Sequence, residues 1–177
     1  DGHAPGLSGE DLDKYINSGI TTDHECSSKE EALEKIKKGM KVQIREGSAA
    51  KSFGTLYSLI NEYPDNVMLC SDDLHPNELL TGHINKLIKK GILKGLDFYN
   101  LIRAATINPI LHYNLPVGLL QKNDPADFII VDDLENFNIK QTYINGTKVY
   151  DNNNSLISSS KPNPINNFKA SKISKED

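Results

Sequence analysis

Val67-Met68-Leu69-Cys70-Ser71-Asp72-Asp73-Leu74-His75-Pro76 is the stretch whose reading decides the fold. Four apolar or near-apolar residues in a row read as a short buried strand, which stops abruptly at two carboxylates and an imidazole. A buried strand that delivers acids at its C-terminal end is how an α/β barrel presents its functional groups. Two further element ends upstream carry comparable chemistry, Asp1-Gly2-His3 and Thr22-Asp23-His24-Glu25. His3, His24 and Asp72 are the candidate ligands of one metal ion.

The segments between these motifs repeat a single unit. Ser8 with Asp11 three residues on opens a helix along Leu12, Tyr15 and Ile16, and Gly19 stops it. Ile20 to Thr22 reads as a short strand. Ser28 with Glu31 forms a capping box for a second helix, with Ala32, Leu33 and Ile36 on one face and Gly39 at its end. Met40 to Arg45 alternates as a strand and runs into Glu46-Gly47-Ser48-Ala49-Ala50, a loop of small residues. A third helix is expected over Phe53 to Glu62. Site residues therefore recur at His3, His24, Arg45 or Glu46, and Asp72, in steps of 21, 21 or 22, and 26 or 27 residues. Such steps suit successive βα units, whose parallel strands place their C-terminal ends on one rim. Four units make half of an eight-stranded barrel.

Beyond Pro76, the residues Leu80, His83, Ile84, Leu87 and Ile88 predict one long amphipathic helix, and Leu96 to Thr106 another, broken before Pro109. The character changes near Asp127. Phe128 to Val131 is a continuous apolar strand, and Gln141 to Ile144 pairs with Thr147 to Tyr150 across Asn145-Gly146, a dipeptide that favours a type I′ hairpin. Residues 1–115 are thus expected to be the C-terminal half of a barrel and 116–150 part of a small antiparallel β module. Residues 151–177, rich in Asn, Ser, Lys and Pro, are expected to be a polar, irregular tail that opens a truncated further domain.

The bulk numbers narrow the function classes. At 177 residues with 37% apolar and 25% charged residues, the chain can build about one packed domain. A net charge of -4 argues against a nucleic-acid partner, whose footprint would be basic. No apolar run reaches membrane-spanning length. Cys26 and Cys70 form no metal-type pair, and a reduced, cytoplasmic setting is expected. The chain opens without Met and directly on a histidine motif, so a fragment is expected.

Imidazole nitrogens with a carboxylate suit zinc, iron or manganese better than calcium. A divalent ion lowers the pKa of a bound water toward neutrality, and Asp72 is placed to take its proton. Duller readings stand beside these. His3 fits a terminal loop, Asp23-His24-Glu25 a solvated loop before a capped helix, and Asp72 or Asp73 a helix cap. Arg45 and Glu46 fit either an ion pair or a substrate clamp. His83 lies on the apolar helical stripe and is expected to be packed and hydrogen-bonded, and His112 to be structural.

Taken together, these motifs carry a resemblance. Asp1-Gly2-His3-Ala4-Pro5-Gly6-Leu7-Ser8-Gly9 resembles the DGHxPxLSG signature of bacterial adenine deaminases, in the amidohydrolase superfamily. The stretches Thr22 to Glu25, Ile44 to Lys51, Cys70 to Pro76, Gly82 to Ile84 and Ala104 to Pro109 continue the likeness in order, to about Tyr150. The resemblance implies a metal-dependent (β/α)8 TIM-type barrel converting adenine and water to hypoxanthine and ammonia. It implies two divalent ions in the complete enzyme, manganese or iron ahead of zinc. His3 and His24 would be ligands after the fifth and sixth strands, and Asp72 the ligand and proton shuttle after the eighth. Glu25 joins Asp72 as a catalytic candidate, while Arg45, Glu46, Ser48, Asp73 and His75 lie where the base would be recognised. The family's H-x-H and bridging glutamate belong upstream, and this chain carries neither. The β-module loop, Pro-Gly-x-x-Ala-Asp in the family, here reads Lys122-Asn123-Asp124-Pro125-Ala126-Asp127. The expected function is therefore that of a deaminase fragment inactive alone, acting on adenine and water without nucleic acid or membrane, and able to self-assemble. The alternatives are a non-catalytic assembly module, or an amidohydrolase for another cyclic amidine or amide.

Overall fold

Three short strands, β1 (Thr22–Asp23), β2 (Lys41–Arg45) and β3 (Val67–Cys70), lie parallel in the order β1-β2-β3 in a computed structural model. The structure describes residues 1–161, 163, 165–170 and 174. Helix α1 (Gly9–Asn17) precedes β1, α2 (Lys29–Lys37) joins β1 to β2, and the single turns α3 (Phe53–Leu56) and α4 (Leu59–Glu62) join β2 to β3. This is the repeated unit read from the sequence, and it brings the ends of all three strands to one edge.

Strand alternation sorts the residues by face. Val42, Ile44, Val67 and Leu69 enter one apolar cluster with Ala32 and Ile36 of α2 and Phe53, Leu56, Leu59 and Ile60 of α3 and α4. Asp23 is registered with Val42, so it points to the same, helix-covered side. By the same alternation His24 and Arg45 turn to the opposite side.

Four barrel strands were expected, and among the described residues the parallel sheet has three. Asp1-Gly2-His3 forms no ladder with β1. It is held instead by side chains: Thr22 Oγ1 donates to Asp1 Oδ1 at 2.7 Å, and a Cβ on Gly2 would overlap the Thr22 carbonyl.

The helices depart from expectation where the backbone interrupts them. The predicted third helix splits between α3 and α4, because Ile60 and Asn61 donate three residues back, to Tyr57 and Ser58. The long helix after Pro76 is two: α5 (Pro76–Leu79) and α6 (Ile84–Leu93), parted by Gly82 at φ +137, which an L side chain rarely adopts. Next, α7 (Phe98–Ala105) is capped by Asp97, whose carboxylate accepts the Asn100 N–H at 2.9 Å. The break expected before Pro109 falls at Thr106, and a further helix not foreseen, α8 (Ile107–Tyr113), follows it. Pro109 lies in its first turn, where a missing N–H costs nothing.

Strands β4 (Phe128–Val131), β5 (Ile139–Ile144), β6 (Thr147–Asp151) and β7 (Asn154–Ser155) form an antiparallel sheet in chain order. Asn145 and Gly146 both have positive φ, +48 and +74, as the predicted I′ turn requires. The preceding loop anchors that turn: Gly146 N–H donates to the Ala126 carbonyl and Asn145 N–H to Asp127 Oδ1. Backbone N–H groups of Gly118 and then Asn145, both donating to Asp127, hold its carboxyl below its usual range. Phe137 and Val131 pack into the main apolar cluster, where Phe137 meets Phe98 edge-to-face at 6.1 Å. The polar tail begins later than expected, since Asp151, Asn154 and Ser155 are still in strands. The expectation of an irregular tail opening a further domain falls partly on residues 162, 164, 171–173 and 175–177, which lie outside the described residues. No helix among the described residues is long and apolar enough to cross a membrane.

Candidate metal centre

The ends of the parallel strands converge as their order requires. One residue past β1, His24 enters the rim with a side chain only 16% exposed. Glu25 Oε1 lies 3.4 Å from His24 Nε2 and 3.4 Å from His3 Nδ1. A donor atom from each of His3, His24 and Glu25 falls within 4.8 Å of the others. The His3 and His24 rings meet edge-to-face at 5.4 Å, and the His3 backbone N–H donates to the Tyr15 hydroxyl at 3.0 Å.

Strands β2 and β3 supply the charged wall. Arg45, paired with Cys70 in the ladder, forms an ion pair through Nη1 with Glu25 Oε1 at 2.6 Å and donates from the same nitrogen to Asp72 Oδ2. Asp72 takes φ +45, a conformation Asp tolerates better than most residues. Its Oδ1 stands 3.8 Å from His24 Nε2. Asp72 is thus beside His24 but outside the tightest donor set, where Glu25 takes the place expected of it. Neither Asp72 nor Asp73 caps a helix; the residue at the start of α5 is His75, and its side chain makes no cap bond.

Three carboxylates, of Asp1, Glu25 and Asp72, face two imidazoles and one guanidinium. His24 Nδ1 is buried without a hydrogen-bond partner, the one such side-chain atom among the described residues. Asp1 Oδ2 approaches it to 3.4 Å without the alignment of a bond. An excess of carboxylate beside an orphaned imidazole nitrogen is the donor chemistry of a divalent cation site. The residues present fit such an ion.

The other expected site residues divide into two groups. Ser48, Asp73 and His75 clamp two rim loops together. Asp73 Oδ2 accepts the Ala49 N–H at 3.0 Å, and Ser48 Oγ accepts the His75 N–H at 2.9 Å while donating to Glu78. Gly47 packs so closely here that a Cβ would overlap Asp73 Oδ1. Glu46 turns the other way and pairs with Lys90 of α6. His83, expected to be packed on an apolar stripe, is exposed ahead of α6, because Gly82 turns the chain there. Its Nε2 lies 2.7 Å from Ser71 Oγ, so the expected hydrogen bond is present. His112 is structural as expected, 3.2 Å from Thr21 Oγ1, with burial first and then the Lys41 charge lowering its pKa.

Sequence reasoning missed the polar floor. Asp1 Oδ1 accepts from Gln43 Nε2 at 2.7 Å, and Gln43 Nε2 also reaches the Tyr113 hydroxyl at 2.8 Å. A signal was present, since Gln43 alternates onto the same face as Arg45. Cys70 lies beside Asp72, and burial and then that carboxylate push its thiol up to about 12.

The amidohydrolase family profile matches residues 1–149, and the chain belongs to the amidohydrolase family. Its curated relatives include the adenine deaminase of Methanosarcina mazei, 60% identical over 178 residues, covering 100% of this chain and 32% of the relative. The adenine deaminase of Borreliella burgdorferi is 52% identical over 181 residues, covering 100% of this chain and 33% of the relative. The chain thus spans about a third of the length of such relatives, 32% in the first case. Among solved structures, a β-aspartyl dipeptidase from Fervidobacterium islandicum AW-1 superposes with a TM-score of 0.66 at 22% identity, over 86% of this chain and 45% of that one. The last likeness establishes shared fold alone.

Proposed function

We propose that this chain is a section of a metal-dependent adenine deaminase, contributing the later half of a (β/α)8 barrel over residues 1–115 and part of a β module over 116–150. The observation that carries the substrate is alignment over the whole chain with adenine deaminases at 48 to 60% identity. His3, His24 and Glu25 would hold a divalent ion, manganese or iron ahead of zinc, with Asp72 at its edge. A second ion would need ligands this chain does not carry. When bound, the metal supplies a water acidified toward neutral pH.

The chain's own residues do the rest. Asp72 Oδ1 takes the proton from the attacking water and returns it to the departing nitrogen. Adenine gains the oxygen at C6 and loses ammonia, leaving hypoxanthine. Arg45 bridges Asp72 and Glu25 and fixes the placement of both carboxylates. Ser48, Asp73 and His75 offer donors and acceptors to the base from the rim, and Glu46 braces that rim through Lys90. The free thiols of Cys26 and Cys70 support a cytoplasmic setting. The remainder of a polypeptide of the relatives' length would supply the further ligands, since this stretch spans 32% of such a relative.

The test is ammonia release from adenine, with added manganese, by the full-length polypeptide that contains this stretch. Activity lost in Asp72→Asn with metal retained supports the reading. Bound metal without activity on adenine redirects the search to other cyclic amidines, and neither metal nor activity favours a non-catalytic module.

A further inference from the structure

Helix α2 carries a lysine on its apolar face, and the proposed chemistry does not use it. Lys35 is wholly buried, with 0% of its side chain exposed. An ammonium has three donors, and all three are spent: on the Ala4 carbonyl at 2.6 Å, Asp23 Oδ2 at 2.8 Å and Glu31 Oε1 at 2.6 Å. Each carboxylate then grips the neighbouring loops. Asp23 Oδ1 accepts the Ala4 N–H at 2.9 Å, and its Oδ2 accepts the Cys26 thiol at 3.2 Å. Glu31 Oε1 accepts the Gly6 N–H at 2.8 Å, and its Oε2 the Ser27 N–H at 3.0 Å.

The chain positions of these partners give the cluster its meaning. His3 directly precedes Ala4, His24 directly follows Asp23, and Glu25 directly precedes Cys26. Every member of the tightest donor set is thus one peptide away from a residue bound within this cluster. The donors of Asp23, Cys26 and Glu31 themselves lie within 4.8 Å of one another, and the Lys35 ammonium sits among them as their cation. Burial alone would push the Lys35 pKa down, but the bonds to Asp23 and Glu31 raise it, so the ammonium stays charged.

We propose that the buried Lys35 ammonium is a positioning residue that sets the spacing of His3, His24 and Glu25 by tying the two backbone segments that carry them to one helix. This rests on the reading of those three as a metal centre, and it extends that reading to the layer behind it.

The test uses the full-length polypeptide, with Lys35→Met beside Leu59→Ala, a buried residue outside the cluster. Amide exchange is measured first in metal-stripped protein. Ala4 and Gly6 are expected to exchange about 10-fold faster or more in Lys35→Met, while Val42 to Ile44 keep their protection. Manganese affinity is measured next, and a loss of about 10- to 100-fold is expected. Leu59→Ala should lower the melting temperature yet leave both readouts in place. Glu31→Gln, which keeps the side-chain shape, carries the same test if Lys35→Met does not fold, with shifts in the same direction. Unchanged exchange at Ala4 and Gly6, unchanged manganese affinity, or equal effects from Leu59→Ala would overturn the proposal. Wild-type protein that binds no manganese would sink the metal-centre reading separately, leaving the exchange result to decide the tie.

Discussion

Arg45 Nη1 stands 2.6 Å from Glu25 Oε1, so a residue at the end of β2 neutralises an acid delivered past β1. The same nitrogen also engages Asp72. Replacing Arg45 by Met would leave two carboxylates facing each other across a mostly buried site, with nothing to hold their geometry. The expected result is a fall in kcat of about 100-fold or more with bound metal largely retained, since no imidazole is lost. Steady-state kinetics beside metal analysis of the purified variant checks it, and unchanged kcat would remove Arg45 from the mechanism.

The Asp23–Lys35–Glu31 cluster makes stability depend on pH in a definite direction. Burial raises the pKa of Asp23 and Glu31, but hydrogen bonds from Lys35 and from backbone amides lower both below their ordinary values of 3.8 and 4.5. Their contribution is complete above those values and is lost as pH falls through the lower folded ones. Lys35 is raised above 10.5, so its contribution is complete below that pH and is lost as pH rises through the folded value. Melting temperatures should therefore drop on acidification below about pH 4 and again in strong alkali. In Lys35→Met the stranded acids would favour protonation, so its deficit against wild type should shrink as pH falls. A deficit that stays constant from pH 7 to about pH 4 would contradict this assignment.

Gly47 is a test of the rim. A Cβ there would overlap Asp73 Oδ1, which belongs to the clamp joining the loops after β2 and β3. If the full-length polypeptide acts on adenine as proposed, Gly47→Ala should displace Asp73 and raise KM for adenine by about 10-fold, with metal content unchanged, because a displaced polar contact is worth about 1 to 2 kcal/mol. Equal KM in the two proteins would place base recognition elsewhere.

The thiols should be quiet. Burial raises Cys26 strongly, with the nearby Asp23 charge adding to it, and burial first and then Asp72 push Cys70 to about 12. Alkylation of the native protein by iodoacetamide near pH 7.5 should be slower than in denaturant by about 100-fold, since thiolate is the reactive form. Rapid modification of either cysteine in the folded state would show that its surroundings open.

Much of the centre was legible before folding. The spacing of His24, Arg45 and Asp72 anticipated the convergence of strand ends, because parallel βα units place those ends on one edge, whereas His3 reaches it without a strand of its own. The Asn145-Gly146 turn was equally plain, since few dipeptides accept two positive φ angles. Helix lengths after Pro76 were misread because an apolar stripe continues through Gly82 although the backbone does not. Glu25 stands nearer to both imidazoles than Asp72 does, and spacing alone has no means of ranking two carboxylates at one rim. Lys35 was hidden in a stripe of apolar residues, where a lysine is ordinarily taken to reach for water.

By itself, the order of residues determined the repeated βα unit, the family resemblance and which residue types are available for metal chemistry. These follow from periodicity and local backbone preference, which act over a few residues at a time. Only the tertiary structure decided that Arg45 bridges Glu25 and Asp72, that Glu46 turns away to Lys90, and that Asp23 meets Lys35 behind His24. Those choices depend on the face each side chain takes in a sheet packed against helices, and on which buried charge must find a partner once water is excluded.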